Sequence, residues 1–157
     1  MIKIPLSQQG KHKGKYSTLV DNSDFEFLNK YKWHWLHGYA YSIIKGKPIG
    51  LHRFLMGIDK TKEIDHINHN KLDNRRKNLR VVNHQENQMN LLKKKIKTSS
   101  KYKGVAWHSM GKKWLASLGF KNKQIYIGLF ENERHAGMAY DIWAKEYHKE
   151  FAVLNFN

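Results

Sequence analysis

The stretch Glu63 to Asn90, EIDHINHNKLDNRRKNLRVVNHQENQMN, constrains this chain more than any other. It opens on a strand-like Ile64-Asp65-His66-Ile67 and passes into a polar loop, His69 to Asn78. A second apolar run, Leu79 to Val82, follows. Asn83 with Glu86 three residues on then has the pattern of a capping box at a helix start. The order predicted is strand, long loop, strand, helix. So long a loop inside a hairpin runs against the short connections of compact domains, and function is the expected reason for it. Its Asp, Asn and Arg side chains can satisfy the loop's own backbone by local hydrogen bonds.

The residue types in this stretch suit phosphodiester hydrolysis, which needs an activated water and neutralisation of charge on the scissile phosphate. A histidine takes a proton from water near neutral pH. A hard cation on oxygen ligands, with open positions, does the rest. Asp65 and His66 are adjacent, so a regular strand points them to opposite faces; near the strand's end both can still line one groove. Asn87, one turn into the predicted helix, is placed to add an amide oxygen. Spacing by itself leaves a solvated Asp-His-Asn loop open as the alternative.

Charge points the same way. The 29 Lys and Arg against 13 Asp and Glu leave +16, which suggests a polyanionic partner. Residues 1–92 carry 16 basic and 8 acidic side chains and residues 93–157 carry 13 and 5, so each part is +8. The absence of cysteine excludes disulfides, zinc ribbons and thiol chemistry. No apolar run approaches the roughly 20 residues of a membrane span, and MIKIPLSQQGKHKGK has no signal-peptide apolar region. A composition with 40% hydrophobic and 13% aromatic residues can build a core.

The stretch resembles the HNH homing-endonuclease group, whose fold is the ββα-metal finger. The residues that carry the resemblance are Asp65-His66-Ile67-Asn68, Asn70 to Arg75, Asn78-Leu79-Arg80 and Glu86-Asn87-Gln88, with twelve residues from His66 to Asn78 and nine more to Asn87. The resemblance implies Asp65 as a metal ligand, His66 as general base, Asn78 as the asparagine that pins the loop and orients His66, and Asn87 as second metal ligand. It implies Mg²⁺, with Mn²⁺ able to substitute; an amide oxygen suits such a hard cation and not zinc. Tyr31-Lys32-Trp33 and Leu51-His52-Arg53 also look like the N-terminal portion of these enzymes, and His52 and Arg53 become further candidates for DNA or site contact. His69 and His84 read as polar loop and cap residues.

The region upstream reads as short strands and turns: Ile2 to Leu6, Tyr16 to Val20, a helix through Phe25, Leu28 and Tyr31, strands about Gly38, and a turn at Gly46-Lys47-Pro48. Lys93 to Lys101, KKKIKTSSK, reads as a basic linker, either solvated or laid along a phosphate backbone. Beyond it three strand patterns begin at Tyr102, Gly111 and Lys123, and Asn132 caps a helix with the apolar stripe Ala136, Ala139, Tyr140, Trp143 and Tyr147. Alternation places Ile125, Ile127 and Leu129 on one face of the third strand. One sheet face would pack on the helix and the other stay free, as in β-ribbon readers of the major groove.

This half resembles the AP-two/ethylene-response-factor DNA-binding domain, through Tyr102-Lys103-Gly104-Val105, Trp114-Leu115-Ala116, Ile127-Gly128-Leu129-Phe130, Ala139-Tyr140-Asp141 and Leu154-Asn155-Phe156. By position the resemblance implies DNA contacts from Lys103, His108, Lys112, Ser117, Gln124 and Tyr126. Arginines expected near the first two strands are missing, so the plant family's target sequence does not carry over.

The fold expected is α+β: N-terminal strands plus a ββα-metal HNH module, then a three-stranded antiparallel sheet on one helix. The domains expected are 1–92 (ββα core about 63–92), a linker 93–101, and 102–157. The function expected is a site-specific, metal-dependent DNA endonuclease of homing type, from a mobile element or phage. The setting would be cytoplasmic, in a bacterial or phage-infected cell, without secretion. The partner is double-stranded DNA, with no membrane and no protein partner implied. A non-catalytic DNA-binding or transcriptional protein with a degenerate nuclease module is the first alternative, and a basic RNA-binding protein, told apart by competition between duplex DNA and RNA, is the second.

Overall fold

A computed structural model of the chain describes residues 1–7, 14–58, 61–93 and 98–156. It divides into two compact units, Met1–Val82 and Asn83–Asn157. Four residues of the expected linker 93–101, Lys94 to Lys97, lie outside the described residues. No helix among the described residues is long and apolar enough to cross a membrane.

The first unit begins with β1 (Ile2–Pro5) paired antiparallel to β2 (Ser17–Val20), followed by the short helix α1 (Asn22–Leu28). A meander follows: β3 (His34–Leu36), β4 (Tyr39–Ile44) and β5 (Lys47–Gly50). Its two turns, His37-Gly38 and Lys45-Gly46, have positive φ at both residues. That backbone twist matches the flanking strands. The second turn therefore ends before Lys47, and Pro48 falls on an edge strand, where its missing N–H costs nothing. Leu51–Met56, ambiguous by pattern, forms α2, stopped by Gly57 in the left-handed conformation (φ 63°). Ile4, Leu6, Val20, Leu28, Trp33, Ala40, Leu51, Leu55 and Leu79 form the core. Trp33 is anchored at its polar end, where Nε1 donates to Leu28 O at 2.8 Å. Against this core lies the hairpin β6 (Glu63–His66) and β7 (Leu79–Val82), connected by the long loop.

The second unit starts with α3 (His84–Met89), capped by the Asn83–Glu86 box, and continues through β8 (Val105–His108), β9 (Lys113–Phe120) and β10 (Lys123–Phe130) to α4 (Glu133–His148). The sheet order is β10-β9-β8, all antiparallel. Ala116 and Leu118 of β9 meet Ala136, Tyr140 and Ala144 of α4; the alanines permit close approach. The alternation expected in β10 fails past Tyr126. Tyr126 pairs with Ser117 but Gly128 pairs with Ala116, so Ile127 is an inserted residue. A bulge of this kind resets the faces, which leaves Leu129 38% exposed and turns Phe130 toward the core. Asp141 is buried and accepts from the backbone N–H of Asn155 (2.8 Å) and Phe156 (2.9 Å), which ties the C-terminal segment to α4.

Gly104 has φ +73°, and a Cβ there would lie 2.0 Å from the Tyr140 ring and 2.7 Å from Ser117 O. Gly104→Ala adds left-handed strain and overpacking, together about 2–4 kcal/mol. The expected result is a clear fall in the thermal midpoint of the full chain, followed by circular dichroism, with the first unit's pairing unaffected.

Candidate active site

Strand β6 ends at the site. Asp65 pairs across the ladder with Arg80 and His66 with Leu79. Both side chains are enclosed, at 9% and 5% exposure. The following loop is held by asparagines, as its composition suggested. Asn78 Oδ1 accepts from Asn68 N at 3.0 Å, and Asn78 Nδ2 donates to Asp73 O at 2.7 Å, so one amide closes the loop from both sides. Asn68 donates to Asp73 Oδ2 at 2.8 Å, and Arg75 Nε donates to Asp73 Oδ1 at 2.7 Å. Arg75 and then Asn68 hold the Asp73 carboxyl below its ordinary pKa, against its burial.

His66 stands among other rings. Its ring centroid is 5.3 Å from that of His52, in the first turn of α2, and 6.2 Å from that of Tyr39. Tyr39 in turn carries Lys71 Nζ over its face at 4.3 Å. His66 Nε2 lies 3.2 Å from Asn74 Oδ1. Burial lowers the His66 pKa, with hydrogen bonding to Asn74 and the charges of Asp65 and Asp73 opposing. Burial, then the neighbouring His66 and Arg53, lowers that of His52 to about 4. Both rings are therefore neutral at pH 7, as a proton acceptor must be. Arg53, the other upstream candidate, donates from Nη1 to Lys62 O at 3.1 Å.

Asp65 is shared with a cation of the chain itself: Arg80 Nε and Nη2 donate to Asp65 Oδ2 at 3.0 and 2.8 Å. Among the described residues no three His, Cys, Asp or Glu side chains converge as a metal cluster. Asn87 lies in α3, in the second unit, with its N–H donating to Asn83 O at 3.0 Å. Asp65 and Asn87 each offer an oxygen donor, a carboxylate and an amide, and oxygen donors suit a hard cation such as Mg²⁺ and not zinc.

In the second unit Ser117, Gln124 and Tyr126 share the sheet face away from α4. Gln124 Nε2 donates to Ser117 Oγ at 2.8 Å, and Tyr126 is 61% exposed. His108 Nδ1 accepts from Gly111 N at 3.0 Å, and Lys112 sits in the β8–β9 turn with φ 47°. Lys103 is placed differently: its Nζ donates to Met89 O and Leu91 O, both at 2.7 Å, and burial lowers its pKa to about 8.

Known proteins share this arrangement of sequence. A family model described as HNH endonuclease matches residues 55–89. An uncharacterized HNH endonuclease of Acanthamoeba polyphaga mimivirus is 33% identical over 153 residues, which cover 93% of this chain and 78% of that protein. The chain belongs to the HNH endonuclease family. It also carries an AP2-like domain. An AP2-like ethylene-responsive transcription factor of Arabidopsis thaliana is 45% identical over 60 residues, and a second ethylene-responsive transcription factor of that plant 43% over 60. Each match covers 37% of this chain but only 17% and 14% of the plant proteins.

The HNH signature named His66 and its strand, yet not what surrounds them. Tyr39 and Thr18 come from strands with no motif, and Asn74 sits inside the quoted motif without a distinguishing spacing. Only pairing of β6 with β7, which was legible, points to Arg80 as the partner of Asp65.

His52 gives a pH prediction. Its folded pKa of about 4 lies below the ordinary 6.5, so protons bind the unfolded chain first. Stability is full above about pH 6.5 and falls toward pH 4, by about 3 kcal/mol from this group. His52→Gln should flatten part of the drop in melting temperature between pH 7 and pH 4.5, measured by differential scanning fluorimetry.

Proposed function

We propose that this protein is a divalent-metal-dependent DNA endonuclease of homing type, in which the first unit and α3 supply the hydrolytic residues and the AP2-like sheet reads duplex DNA. The observation that carries this reading is the Asp65-His66 pair at the end of β6, enclosed, with a neutral His66 ring hydrogen-bonded at Nε2.

In this reading His66 takes the proton of the attacking water. Asp65 and Asn87 are the residues that hold the cation, with Arg80 fixing the Asp65 carboxylate. Mg²⁺ held there supplies charge neutralisation on the phosphate and the leaving oxygen. Asn78 keeps the loop closed beneath the histidine. The +16 charge and the exposed face with Gln124 and Tyr126 support duplex DNA as the substrate. Homing, a phage or mobile-element origin and action in the cytoplasm of the host cell complete the proposal.

His66→Ala should lower cleavage by about 10² to 10⁴ and leave DNA affinity nearly unchanged, because it removes a general base and no phosphate contact. Mapping the ends produced from a genomic or phage DNA library with Mg²⁺ measures this. A variant that cuts at more than a tenth of the parent rate overturns the assignment.

EDTA should stop the reaction and Mg²⁺ or Mn²⁺ restore it. Asn87→Asp should keep more activity than Asn87→Ala, since only the first retains an oxygen ligand; equal rates would remove Asn87 from the metal site. Affinity for duplex DNA should also fall steeply between about 50 and 200 mM salt, by electrophoretic mobility shift.

A further inference from the structure

We propose that Thr18 and Asn74 are positioning residues that fix the tautomer of His66, with the proton on Nε2 and the reactive lone pair on Nδ1. The inference deepens the reading of His66 as general base and rests on it.

The chain of hydrogen bonds can be followed from an atom whose role is not in question. Leu72 O is a backbone carbonyl and can only accept. Thr18 Oγ1 lies 2.8 Å from it, so the hydroxyl spends its single proton there. Thr18 Oγ1 is then an acceptor toward its other neighbour, the Asn74 side chain at 2.7 Å, and the Asn74 atom facing it must be the Nδ2 amide nitrogen. Lys71 O, a second pure acceptor, lies 3.5 Å from the same nitrogen and agrees with that orientation. With Nδ2 committed, Oδ1 faces His66 Nε2 at 3.2 Å. An amide oxygen accepts only, so Nε2 carries the hydrogen. In a neutral imidazole the other nitrogen then holds the lone pair.

The surroundings suit this division. Thr18 is wholly enclosed and Asn74 is 1% exposed, so water does not compete for these bonds. Asn74 cannot swing away, because its backbone N–H donates to Leu19 O at 2.8 Å and Leu19 N donates to Leu72 O at 2.7 Å. His66 Nδ1 makes no hydrogen bond to the described residues. The one side-chain polar atom among them that is both fully enclosed and unpartnered is His148 Nδ1. With Nε2 engaged by Asn74, His66 Nδ1 is the nitrogen left to meet a water. Thr18 lies in β2, outside residues 55–89, so a strand beyond the nuclease signature sets the state of its base.

The test uses the full chain labelled with ¹⁵N-histidine. His66 signals are assigned by their loss in His66→Ala, and spectra are taken at pH 8, where the rings are neutral. The wild type should show His66 with a pyridine-type Nδ1 and an Hε2 proton protected from solvent exchange. Asn74→Leu should lose that protection and average the tautomers, and cleavage should fall about 10- to 100-fold, as when a residue that orients a site ligand is removed. Thr18→Val keeps the shape but frees the amide to turn, so the share of Nδ1–H should rise and cleavage should fall by a smaller factor. Thr18→Ser should restore both. A wild-type His66 protonated on Nδ1, or an Asn74→Leu chain with unchanged Hε2 protection, overturns the inference. So does Asn74→Leu cleavage at the parent rate. A His66→Ala chain that still cuts while the wild type shows the stated tautomer removes His66 as base and leaves the relay standing, so the two failures are distinct.

Discussion

The first unit depends on the seating of the 67–78 loop against β2. Left to its sequence, that loop is a run of polar residues with one carbonyl and one N–H each to satisfy, and no regular ladder to do so. Leu19 supplies two of the missing partners at once: its N–H donates to Leu72 O, and its carbonyl accepts from Asn74 N. Leu19 and Asp73 consequently form an isolated parallel bridge, as if the loop were a third strand beside β1 and β2. Farther along, Arg76 N donates to Asp21 Oδ2 and the Arg76 guanidinium grips Asp24 of α1. The N-terminal strands and helix are therefore a cradle for the loop, and the hydrophobic core around Trp33 and Leu28 is what makes that cradle rigid.

Rigidity matters because of where charge sits. Asp65, Asp73 and His66 are all enclosed, and a buried carboxylate is costly unless paired. Each one is: Asp65 with Arg80 across the strand ladder, Asp73 with Arg75 two residues on. His66 escapes the problem by staying neutral. The Asp65-His66 dipeptide thus combines a carboxylate held by a cation of the same hairpin with an imidazole whose pKa burial lowers, and both depend on β6 and β7 staying in register. Slipping that pairing by one residue would exchange the faces of every side chain in the hairpin.

What the sequence disclosed follows the range of the interactions involved. The capping box at Asn83 is a contact over three residues, and it formed as patterned. The β6–loop–β7–α3 order was legible because apolar runs and Asn-rich loops are local signals. The faces of β9 were legible from alternation, whereas the bulge at Ile127 was not, since an extra residue in one strand is visible only against its partner. α2 was ambiguous because six residues give too little periodicity. The Thr18–Asn74 contact spans 56 positions and leaves no trace in spacing at all. The family signature marked Asp65 and His66; Thr18, which accepts from the Asn74 amide beside His66, came from a part of the chain that reads as ordinary strand.

The short helix α3 also persists through contacts from distant residues. Six residues of helix do not hold together alone, because nucleation costs more than so few hydrogen bonds return. The capping box secures the N-terminal end. At the other end Lys103, from just before β8, donates to the Met89 and Leu91 carbonyls, where a cation also meets the negative end of the helix dipole. Lys93 Nζ donates to Tyr102 O at 2.6 Å, and Gln85 Nε2 donates to Asn122 Oδ1 at 3.1 Å in the β9–β10 turn. α3 is thereby a part of the second unit, and the division between units falls at Val82/Asn83, inside the 55–89 stretch that matches the HNH endonuclease model. A motif that is continuous in sequence is thus shared between two folding units. Lys103, which its position in the AP2-like motif assigns to DNA, spends its ammonium on the helix that bears Asn87. The helix that bears Asn87 is thus held by side chains of the second unit at Lys103 and Asn122.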